Sequence, residues 1–324
     1  MVRVLTSRDL EGNVSFLEIV DAVEASYRAA GNGRLVGRPR TFLTAPGTHT
    51  TLSVSPAISA ELGIGVFLYT GGNKGSGLPQ KLAVLFDPTD GGLSCLIESD
   101  WLSWARTGAS SAVATRHMAR PDASVVGIIG SGKQARSQLL AIATARPIER
   151  AFVFSLREDR RRRYALEMSE MCGFPVLAVD DAAEILASSD IICTATTSRE
   201  PVFDGRALRP GTHVNAIGQH YSDRRELDTE TIRRSHVVVD DLESAFADYG
   251  ELCMPLERGE IARDHIQASL ADIVIGTRTG RPSSSAITVF LSGGIAGEYL
   301  AAARAVWQIA QARGLGIEID LGHA

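Results

Sequence analysis

The sequence has little cysteine, no metal-binding motif and no long apolar run. Its four cysteines are widely separated along 324 residues and form no CxxC pair, which argues against a disulfide framework and against a zinc site. No apolar segment approaches the length that spans a bilayer, and the first residues lack the apolar core of a signal peptide. These absences predict a cytoplasmic protein with no membrane partner.

An excess of positive charge is also missing. The 33 Lys and Arg residues are outnumbered by 38 Asp and Glu residues, which gives a formal net charge of -5. Without a basic stripe to displace counterions, nucleic acid is not an expected partner. The apolar content of 44% is typical of globular proteins, and the length is sufficient for two hydrophobic cores.

The first third of the chain predicts an α+β region. Ser15–Glu18 has the S-x-x-E pattern of a capping box and begins a predicted helix that reaches about Arg28. Strand-like runs follow at 40–44, 50–55, 64–70, 80–86 and 93–98. The turn residues of Asp87–Gly92 join the last two runs. Because no helix-length segment separates these strands, an antiparallel or mixed sheet is expected.

After a predicted helix at about 99–118, the chain alternates between strands and helices. Strands are predicted at 124–129, 150–155, 176–179, 190–194, 212–217 and 236–240, with helices at about 133–145, 158–171, 181–188 and 228–234. This alternation predicts a doubly wound parallel sheet. A last helix, at about 294–313, is expected to pack on the N-terminal part. The fold class is therefore α/β, with a Rossmann domain (119–292) inserted in a discontinuous α+β domain (1–118 plus 293–324).

A glycine-rich turn lies between the first strand and helix of this alternating region. Residues Gly130–Ala135 read Gly-Ser-Gly-Lys-Gln-Ala and match G-x-G-x-x-A, preceded by the apolar strand Val125–Ile129. The first glycine allows a tight turn, the second lets the backbone approach a pyrophosphate, and the small Ala135 allows close packing of helix and strand. The pattern predicts a nicotinamide dinucleotide site.

The end of the next strand bears on the choice between NAD and NADP. An acidic residue there usually holds the ribose 2′-hydroxyl, whereas arginine accommodates a 2′-phosphate. This chain has Ser155–Arg157 (Ser-Leu-Arg), followed by Arg160–Arg163. Cations in the first turn of a helix oppose its dipole, so a purely structural role for the arginines is less favoured. NADP(H) is favoured, and Glu158 and Asp159 keep NAD(H) possible.

Several longer blocks have the order and spacing of a known family. They are Trp104–Ser110, Ala119–Ala123 with the glycine turn, Thr194–Thr196, Pro210–Gly218, Arg225–Asp228 and Ile287–Phe290. Over nearly its whole length the sequence resembles the ornithine cyclodeaminase/μ-crystallin family. The resemblance implies a homodimer whose N-terminal domain carries the substrate site and the dimer contacts. It also implies a nicotinamide-dependent reaction on an amino acid or its imine.

The resemblance assigns roles to individual positions. Arg40 and Arg106 match the family's two carboxylate-binding arginines, a task that suits a planar guanidinium able to donate two parallel hydrogen bonds. The predicted cofactor-binding residues are Thr107, Gly130, Ser131, Gly132, Gln134, Ala135, Ser155, Arg157, Thr194, Ala195, Thr196, Ile217, Gly218, Ser292 and Gly293.

Two departures from the family pattern bear on the chemistry. A substrate-site lysine is replaced by Gly65 or by Phe67, depending on the register, and an aspartate that holds the substrate amine is replaced by His220. His220 is a candidate proton donor because its ordinary pKa lies near neutrality, and the alternative is a loop histidine in solvent. Lys74 and Lys81 are candidates to replace the lysine, although Lys81 also fits a solvent-facing position.

These residues favour an NAD(P)H-dependent imine reductase or amino-acid dehydrogenase that takes a small carboxylated amine or imine. A cyclodeaminase of the ornithine type is an alternative, which the loss of the lysine and the aspartate disfavours. A dinucleotide-gated binding protein without catalysis is another.

Overall fold

The structure is a computed structural model that describes residues 1–71, 80–218 and 221–322. The chain divides into two compact units, one formed by Met1–Arg106 with Ile295–Ala324 and the other by Thr107–Gly294. The first division lies within one continuous helix, Asp100–Met118. The assignment of functional domains to 1–118 plus 293–324 and to 119–292 remains a prediction.

The strands are β1 (Val2–Leu5), β2 (Leu35–Gly37), β3 (Thr41–Thr44), β4 (Thr51–Ser59), β5 (Gly63–Gly71), β6 (Lys81–Phe86), β7 (Leu93–Glu98), β8 (Val125–Ile129), β9 (Arg150–Phe154), β10 (Val176–Ala178), β11 (Ile191–Thr194), β12 (His213–Ala216), β13 (Ser235–Val239), β14 (Ile266–Ser269), β15 (Ile287–Leu291) and β16 (Ile317–Ile319). The α-helices are α1 (Ser7–Leu10), α2 (Phe16–Gly31), α3 (Asp100–Met118), α4 (Lys133–Ala145), α5 (Glu158–Cys172), α6 (Ala182–Ser188), α7 (Thr229–Arg234), α8 (Leu242–Asp248), α9 (Gly250–Glu257), α10 (Leu270–Val274) and α11 (Ala296–Arg313).

The first unit is built on a mixed sheet of order β16-β1-β7-β6-β5-β4-β2, with β3 also paired to β4. Strands β1 and β7 are parallel, and the other pairs are antiparallel. This confirms the prediction of an antiparallel or mixed sheet. Helix α11 packs against α2 and against β4 and β5, so the predicted return of the last helix to the N-terminal part is also confirmed.

Local signals fix two features of this unit. The Ser15 hydroxyl accepts a hydrogen bond from the Glu18 amide at 3.2 Å, and the Glu18 carboxylate accepts one from the Ser15 amide at 2.8 Å. This reciprocal pair is the predicted capping box, and it begins α2. Between β6 and β7, the Asp87 carboxylate accepts a hydrogen bond from the Thr89 amide at 2.7 Å, and the Asp87 amide donates to the Gly92 carbonyl at 2.8 Å, which closes the predicted hairpin turn.

The second unit is an eight-stranded sheet of order β10-β9-β8-β11-β12-β15-β13-β14, and all of its pairs are parallel. Its central strands are buried along their whole length, as expected where helices cover both faces of a sheet. The doubly wound α/β fold class is therefore confirmed. No helix in the described part of the chain is both long enough and apolar enough to cross a membrane.

Candidate active site

The glycine-rich turn follows β8 in the second unit. The Gly130 amide donates a hydrogen bond to the Phe154 carbonyl at 2.8 Å, which joins the ends of β8 and β9. Gly130 has φ +122°, and a Cβ there would lie 2.4 Å from the Ala195 carbonyl oxygen. Both the backbone conformation and the close approach of the neighbouring loop therefore require glycine at this position.

The second glycine and the alanine of the turn meet the requirements of a diphosphate site. Gly132 is the N-cap of α4 and makes no side-chain cap, and no atom of the described residues lies within 4 Å of where its Cβ would be. Ala135 is fully buried, and its carbonyl accepts a hydrogen bond from the Tyr164 hydroxyl at 2.8 Å. The N-terminus of α4 thus begins beside open space at Gly132, and the amides of a helix N-terminus suit the phosphates of a dinucleotide.

The residues after β9 are the ones predicted to lie at the adenosine end of such a site. The Ser131 hydroxyl donates to the Ser155 hydroxyl at 3.0 Å, and the Ser155 hydroxyl also lies 3.3 Å from the Arg157 carbonyl oxygen. The exposed Arg157 guanidinium pairs with Asp159 at 2.9 Å. The strand therefore ends in a hydroxyl followed by a cation, and the nearby carboxylate is already bonded to that cation.

The loops after β11 and β12 are joined by one buried carboxylate, that of Glu226. Its Oε2 accepts hydrogen bonds from the Thr194 hydroxyl and the Gly218 amide, both at 2.8 Å, and its Oε1 accepts one from the Thr196 amide at 2.6 Å. Burial raises the pKa of Glu226, and these hydrogen bonds oppose the shift. Three predicted cofactor residues are thus positioned by a residue to which the sequence alone assigned no role.

A second buried carboxylate, Asp240, holds the loop after β15. Asp240 accepts hydrogen bonds from the Ser292 hydroxyl at 3.2 Å and from the Gly294 amide at 2.7 Å. The Tyr249 hydroxyl donates to the same carboxylate and accepts from the Gly293 amide at 2.7 Å. Ser292 and Gly293, both predicted cofactor residues, therefore lie at the carboxyl end of the sheet, where ligands of open α/β sheets bind.

The other predicted cofactor residues also lie in this unit. The Thr107 carbonyl accepts a hydrogen bond from Gln138 at 3.2 Å, and the Gln134 carbonyl accepts one from Ser137 at 3.0 Å. The amide of the buried Ile217 donates to the Thr194 carbonyl at 3.2 Å. The dinucleotide-binding role of the full set remains a prediction that this geometry supports.

The first unit contains a buried charged cluster around Arg106. Its Nη1 donates to Glu298 at 2.8 Å and its Nη2 donates to the Tyr299 hydroxyl at 2.5 Å. The other oxygen of Glu298 accepts a hydrogen bond from the Tyr27 hydroxyl. Burial lowers the pKa of Arg106, but the neighbouring Tyr299 and Glu298 raise it by more, and it lies above its ordinary value. The guanidinium therefore stays charged in an environment that is only 5% exposed.

An aromatic pair lies beside this cluster. The rings of Phe67 and Tyr299 stack with centroids 3.8 Å apart and an interplanar angle of 13°. Gly65 lies on the same buried face of β5, but a Cβ there would be 2.9 Å from the Leu300 side chain. Of the two positions considered for the missing lysine, Phe67 is thus the one whose side chain contacts a partner of Arg106.

The remaining predicted residues have different surroundings. Arg40 immediately precedes β3 and is half-buried, with its Cζ 6.0 Å from the centre of the Phe42 ring. The Lys81 ammonium pairs with Asp100 at 3.2 Å and lies 5.9 Å from the centre of the Tyr69 ring. His220 and Lys74 lie outside the described residues. Their roles remain predictions.

Sequence reasoning missed five residues that organise these sites. They are Tyr27, Glu226, Asp240, Glu298 and Tyr299. Glu226 lies within the Arg225–Asp228 block, so its position in the chain was noted but not its role. For Tyr27, Glu298 and Tyr299, the available signal was an ionisable or hydroxyl-bearing residue on a largely apolar helix face, as with Glu298 on α11. Asp240 directly follows the apolar end of β13.

Comparison with known proteins identifies the relatives of this chain. Residues 2–314 match the model of the ornithine cyclodeaminase/mu-crystallin family. A Δ(1)-pyrroline-2-carboxylate reductase of Bacillus cereus is 30% identical, with 98% of this chain and 99% of the relative covered. The structure of the Thermococcus litoralis Δ(1)-pyrroline-2-carboxylate reductase with NADH and L-proline is 36% identical with a TM-score of 0.92, over 98% and 100% of the two chains. An archaeal alanine dehydrogenase dimer with bound NAD is 29% identical with a TM-score of 0.90, over 99% of both chains.

These relatives and the dinucleotide-compatible turn agree on the class of reaction. The chain is an oxidoreductase that uses a nicotinamide dinucleotide and acts on the C–N bond of an amino acid or its imine. Cyclisation of ornithine remains the alternative activity. By the match along nearly its whole length, the chain belongs to the ornithine cyclodeaminase/mu-crystallin family.

Proposed function

We propose that this protein reduces a cyclic or N-substituted imine of a 2-oxo acid, with NADPH as the preferred hydride donor. The observation that carries the proposal is the buried, permanently charged Arg106 in the first unit. Two relatives named as reductases of pyrroline-2-carboxylate, a cyclic imine with a carboxylate, support this class of substrate.

Arg106 retains donors for a carboxylate. A guanidinium has five N–H groups, and Glu298 and Tyr299 accept from two of them. In the described part of the chain, the buried Nε of Arg106 has no hydrogen-bond partner. Glu298 balances the charge of Arg106. A further cation is therefore needed to attract the substrate carboxylate, and Arg40 is the residue that would supply it.

The bound dinucleotide supplies the hydride, and the residues of this chain hold the substrate and its proton. Arg106 and Arg40 orient the carboxylate, which fixes the adjacent imine carbon in one position. The aspartate that holds a free amine in related enzymes is replaced by His220. An imine has no free amine that needs such an anion, and this favours imine reduction over ornithine cyclisation.

The test is turnover by the purified protein with reduced dinucleotide and three sets of substrates. We expect loss of the reduced-nicotinamide absorbance with preformed cyclic imino acids, and weaker activity with 2-oxo acids plus ammonia or methylamine. Ornithine tests the alternative through ammonia release without net consumption of dinucleotide. Tight NADPH binding with no turnover of any substrate would instead indicate a binding protein.

The preference for NADPH is argued from the residues after β9. Ser155 occupies the strand end where an acidic residue would select NAD, and Arg157 offers a cation for a 2′-phosphate. We expect a higher kcat/KM with NADPH than with NADH, and an Arg157→Glu variant should reverse the ratio by raising only the KM for NADPH. Equal kcat/KM values for the two cofactors in the wild type would reject the preference.

The homodimer is part of the same proposal. Strand β3 is exposed over its whole length, and the side chains of Phe42 and Leu43 are 59% and 58% exposed. An apolar edge of this kind is typical of an interface, and one relative is a dimer. Light scattering should give twice the monomer mass, and Phe42→Glu should give the monomer mass.

A further inference from the structure

The hydroxyl of Tyr299 is the one phenol that contacts the buried guanidinium of Arg106 in the described part of the chain. We propose that Tyr299 donates the proton that the imine nitrogen gains during reduction. This inference rests on the imine-reductase function proposed above, and it identifies the residue that acts as the general acid.

The direction of the hydrogen bond leaves the phenolic hydrogen available. A guanidinium can only donate, so in the 2.5 Å contact with Arg106 Nη2 the Tyr299 oxygen is the acceptor. Among the described residues, the hydroxyl of Tyr299 has no other hydrogen bond. The same group can therefore accept from the cation and donate to a substrate at the same time.

The ring is held in one orientation. Tyr299 stacks on Phe67 at 3.8 Å, and the Arg106 Cζ lies 4.2 Å from the centre of the tyrosine ring on α11. Tyr299 is 4% exposed and Phe67 is 3% exposed. A group fixed in this way loses little entropy when it reaches the transition state.

The connectivity of the substrate brings its nitrogen near this hydroxyl. In the imine of a 2-oxo acid, a single carbon atom separates the nitrogen from the carboxylate carbon. A carboxylate on Arg106 therefore places the imine nitrogen close to whatever else that guanidinium binds, and Tyr299 and Glu298 are the two groups bound. Glu298 already accepts hydrogen bonds from Arg106 and Tyr27 as a carboxylate, which leaves Tyr299 as the donor.

The step balances in atoms and charge. The π bond of the imine C=N group breaks. The hydride of the reduced dinucleotide forms the new C–H bond, and the Tyr299 proton forms the new N–H bond. The product is the amine and a phenolate. The adjacent guanidinium stabilises that phenolate, and water returns the proton before the next turnover.

The experiment compares Tyr299→Phe with Tyr27→Phe, using NADPH and the best cyclic imine found for the wild type. Tyr299→Phe keeps the stacked ring and removes only the hydroxyl, so kcat should fall about 10²–10⁴-fold. The melting temperature should fall, because the buried Arg106 Nη2 loses its acceptor, while binding of L-proline should stay close to that of the wild type. Tyr27→Phe removes a buried hydroxyl from the other oxygen of the same carboxylate. It should lower the melting temperature and raise KM, while the pH dependence of kcat keeps its shape.

His220→Gln is the rival arm, because His220 is the proton donor considered from the sequence. Loss of the basic limb of the kcat–pH profile in Tyr299→Phe, and its retention in His220→Gln, supports Tyr299. The inference is overturned if Tyr299→Phe keeps kcat within about threefold with an unchanged profile, or if only His220→Gln loses the limb. If the wild type reduces no imine, the proposed function is overturned as well. If the wild type is active and Tyr299→Phe has the same kcat and pH profile, this inference alone is overturned.

Discussion

Among single residues, Glu226 shows how hydrogen bonds compensate the burial of a carboxylate. Burying an ionised carboxylate is costly unless hydrogen bonds compensate it. Glu226 is fully buried and accepts three hydrogen bonds from the loops after β11 and β12. Its own amide donates to the Glu251 carboxylate at 2.8 Å. The burial of one side chain thus fixes two loops that the sequence alone described only as separate motifs.

Replacing Glu226 by Gln should therefore loosen the dinucleotide site. An amide nitrogen would face the backbone donors of Thr196 or Gly218, so at least one charge-assisted hydrogen bond is lost, at about 1.5–3 kcal/mol. We expect the Kd for NADPH to rise about tenfold or more, and the Kd for an adenosine fragment such as ADP-ribose to change less. Fluorescence titration of the reduced nicotinamide and calorimetry with ADP-ribose measure the two.

Glu251→Gln is the matched control for this variant. Burial raises the pKa of Glu251 to about 7, so the residue is partly neutral at neutral pH. A glutamine oxygen can still accept the bond from the Glu226 amide. The Kd for NADPH should stay within about threefold of the wild type, and an equal loss in both variants would mean that the effect is not specific to the Glu226 carboxylate.

Long-range pairs mark the limit of what single residues in the sequence can predict. A carboxylate-binding role for Arg40 and Arg106 was predicted from a family motif and stays a prediction. The contacts of Arg106 with Glu298 and Tyr299 could not be predicted, because these partners lie 192 and 193 positions away in the chain. A pair of this kind depends on how α11 packs, and no local periodicity records that.

Within individual elements, β12 begins with a buried histidine in a polar network. His213 Nε2 lies 3.2 Å from the Asn215 amide oxygen, and Nδ1 lies 2.9 Å from the Thr288 hydroxyl of β15. Asn215 donates to Thr115 through its nitrogen, so its oxygen faces the ring, and the neutral tautomer with hydrogen on Nε2 donates to that oxygen. Burial, with a smaller effect from nearby Arg281, lowers the pKa of His213 to about 3.

This histidine predicts a loss of stability in mild acid. Between about pH 6.5 and pH 3, unfolded His213 binds a proton and folded His213 does not, so the free energy of unfolding falls as the pH falls. The slope approaches about 1.4 kcal/mol per pH unit, and the total fall between pH 6.5 and pH 5 is about 1.6 kcal/mol. Glu251, whose folded pKa is raised to about 7, contributes with the opposite sign over part of this range.

The measurement is therefore a difference between two proteins. Urea unfolding of the wild type and of His213→Gln at several pH values cancels the contribution of Glu251. The stability advantage of the wild type should shrink steadily between pH 6.5 and pH 5. A constant difference over that range would show that His213 is not neutral and buried in the folded protein.

The predictability of the elements depended on their length and periodicity. Strands β4 to β9 and helices α2 to α6 were predicted within a few residues, because alternation, capping boxes and turn residues act locally. The short helices α8, α9 and α10, of five to eight residues, were missed. Two turns of helix give too few residues for a period to stand out. Strands β1 and β16 were also missed, since each is defined by pairing with a distant segment.

For the molecule as a whole, binding of the dinucleotide should be visible as stability. A ligand that binds only the folded state at about 100 times its Kd adds about 2.7 kcal/mol to the free energy of unfolding. The melting temperature should therefore rise with NADPH concentration, and removal of NADPH by dialysis should restore the original value.

Two variants at one position separate binding from folding. Gly132 has φ -86° and open space at its Cβ among the described residues, and Asp and Asn are both good N-caps. Gly132→Asp should keep the ligand-free melting temperature but abolish the rise with NADPH, since its charge repels the diphosphate. Gly132→Asn, of equal size and uncharged, should keep part of the rise. An unchanged rise in Gly132→Asp would place the diphosphate elsewhere.

The pairing of Arg106 with Glu298 has a consequence for inheritance. Losing Glu298 alone leaves the buried charge of Arg106 without its carboxylate, at a cost of about 3–5 kcal/mol, which is a large share of the stability of an ordinary domain. Descendants of this sequence are therefore expected to keep both residues or to exchange both. Positions 106 and 298 should covary among its nearest relatives, so genomes alone can report whether this cluster is under common selection.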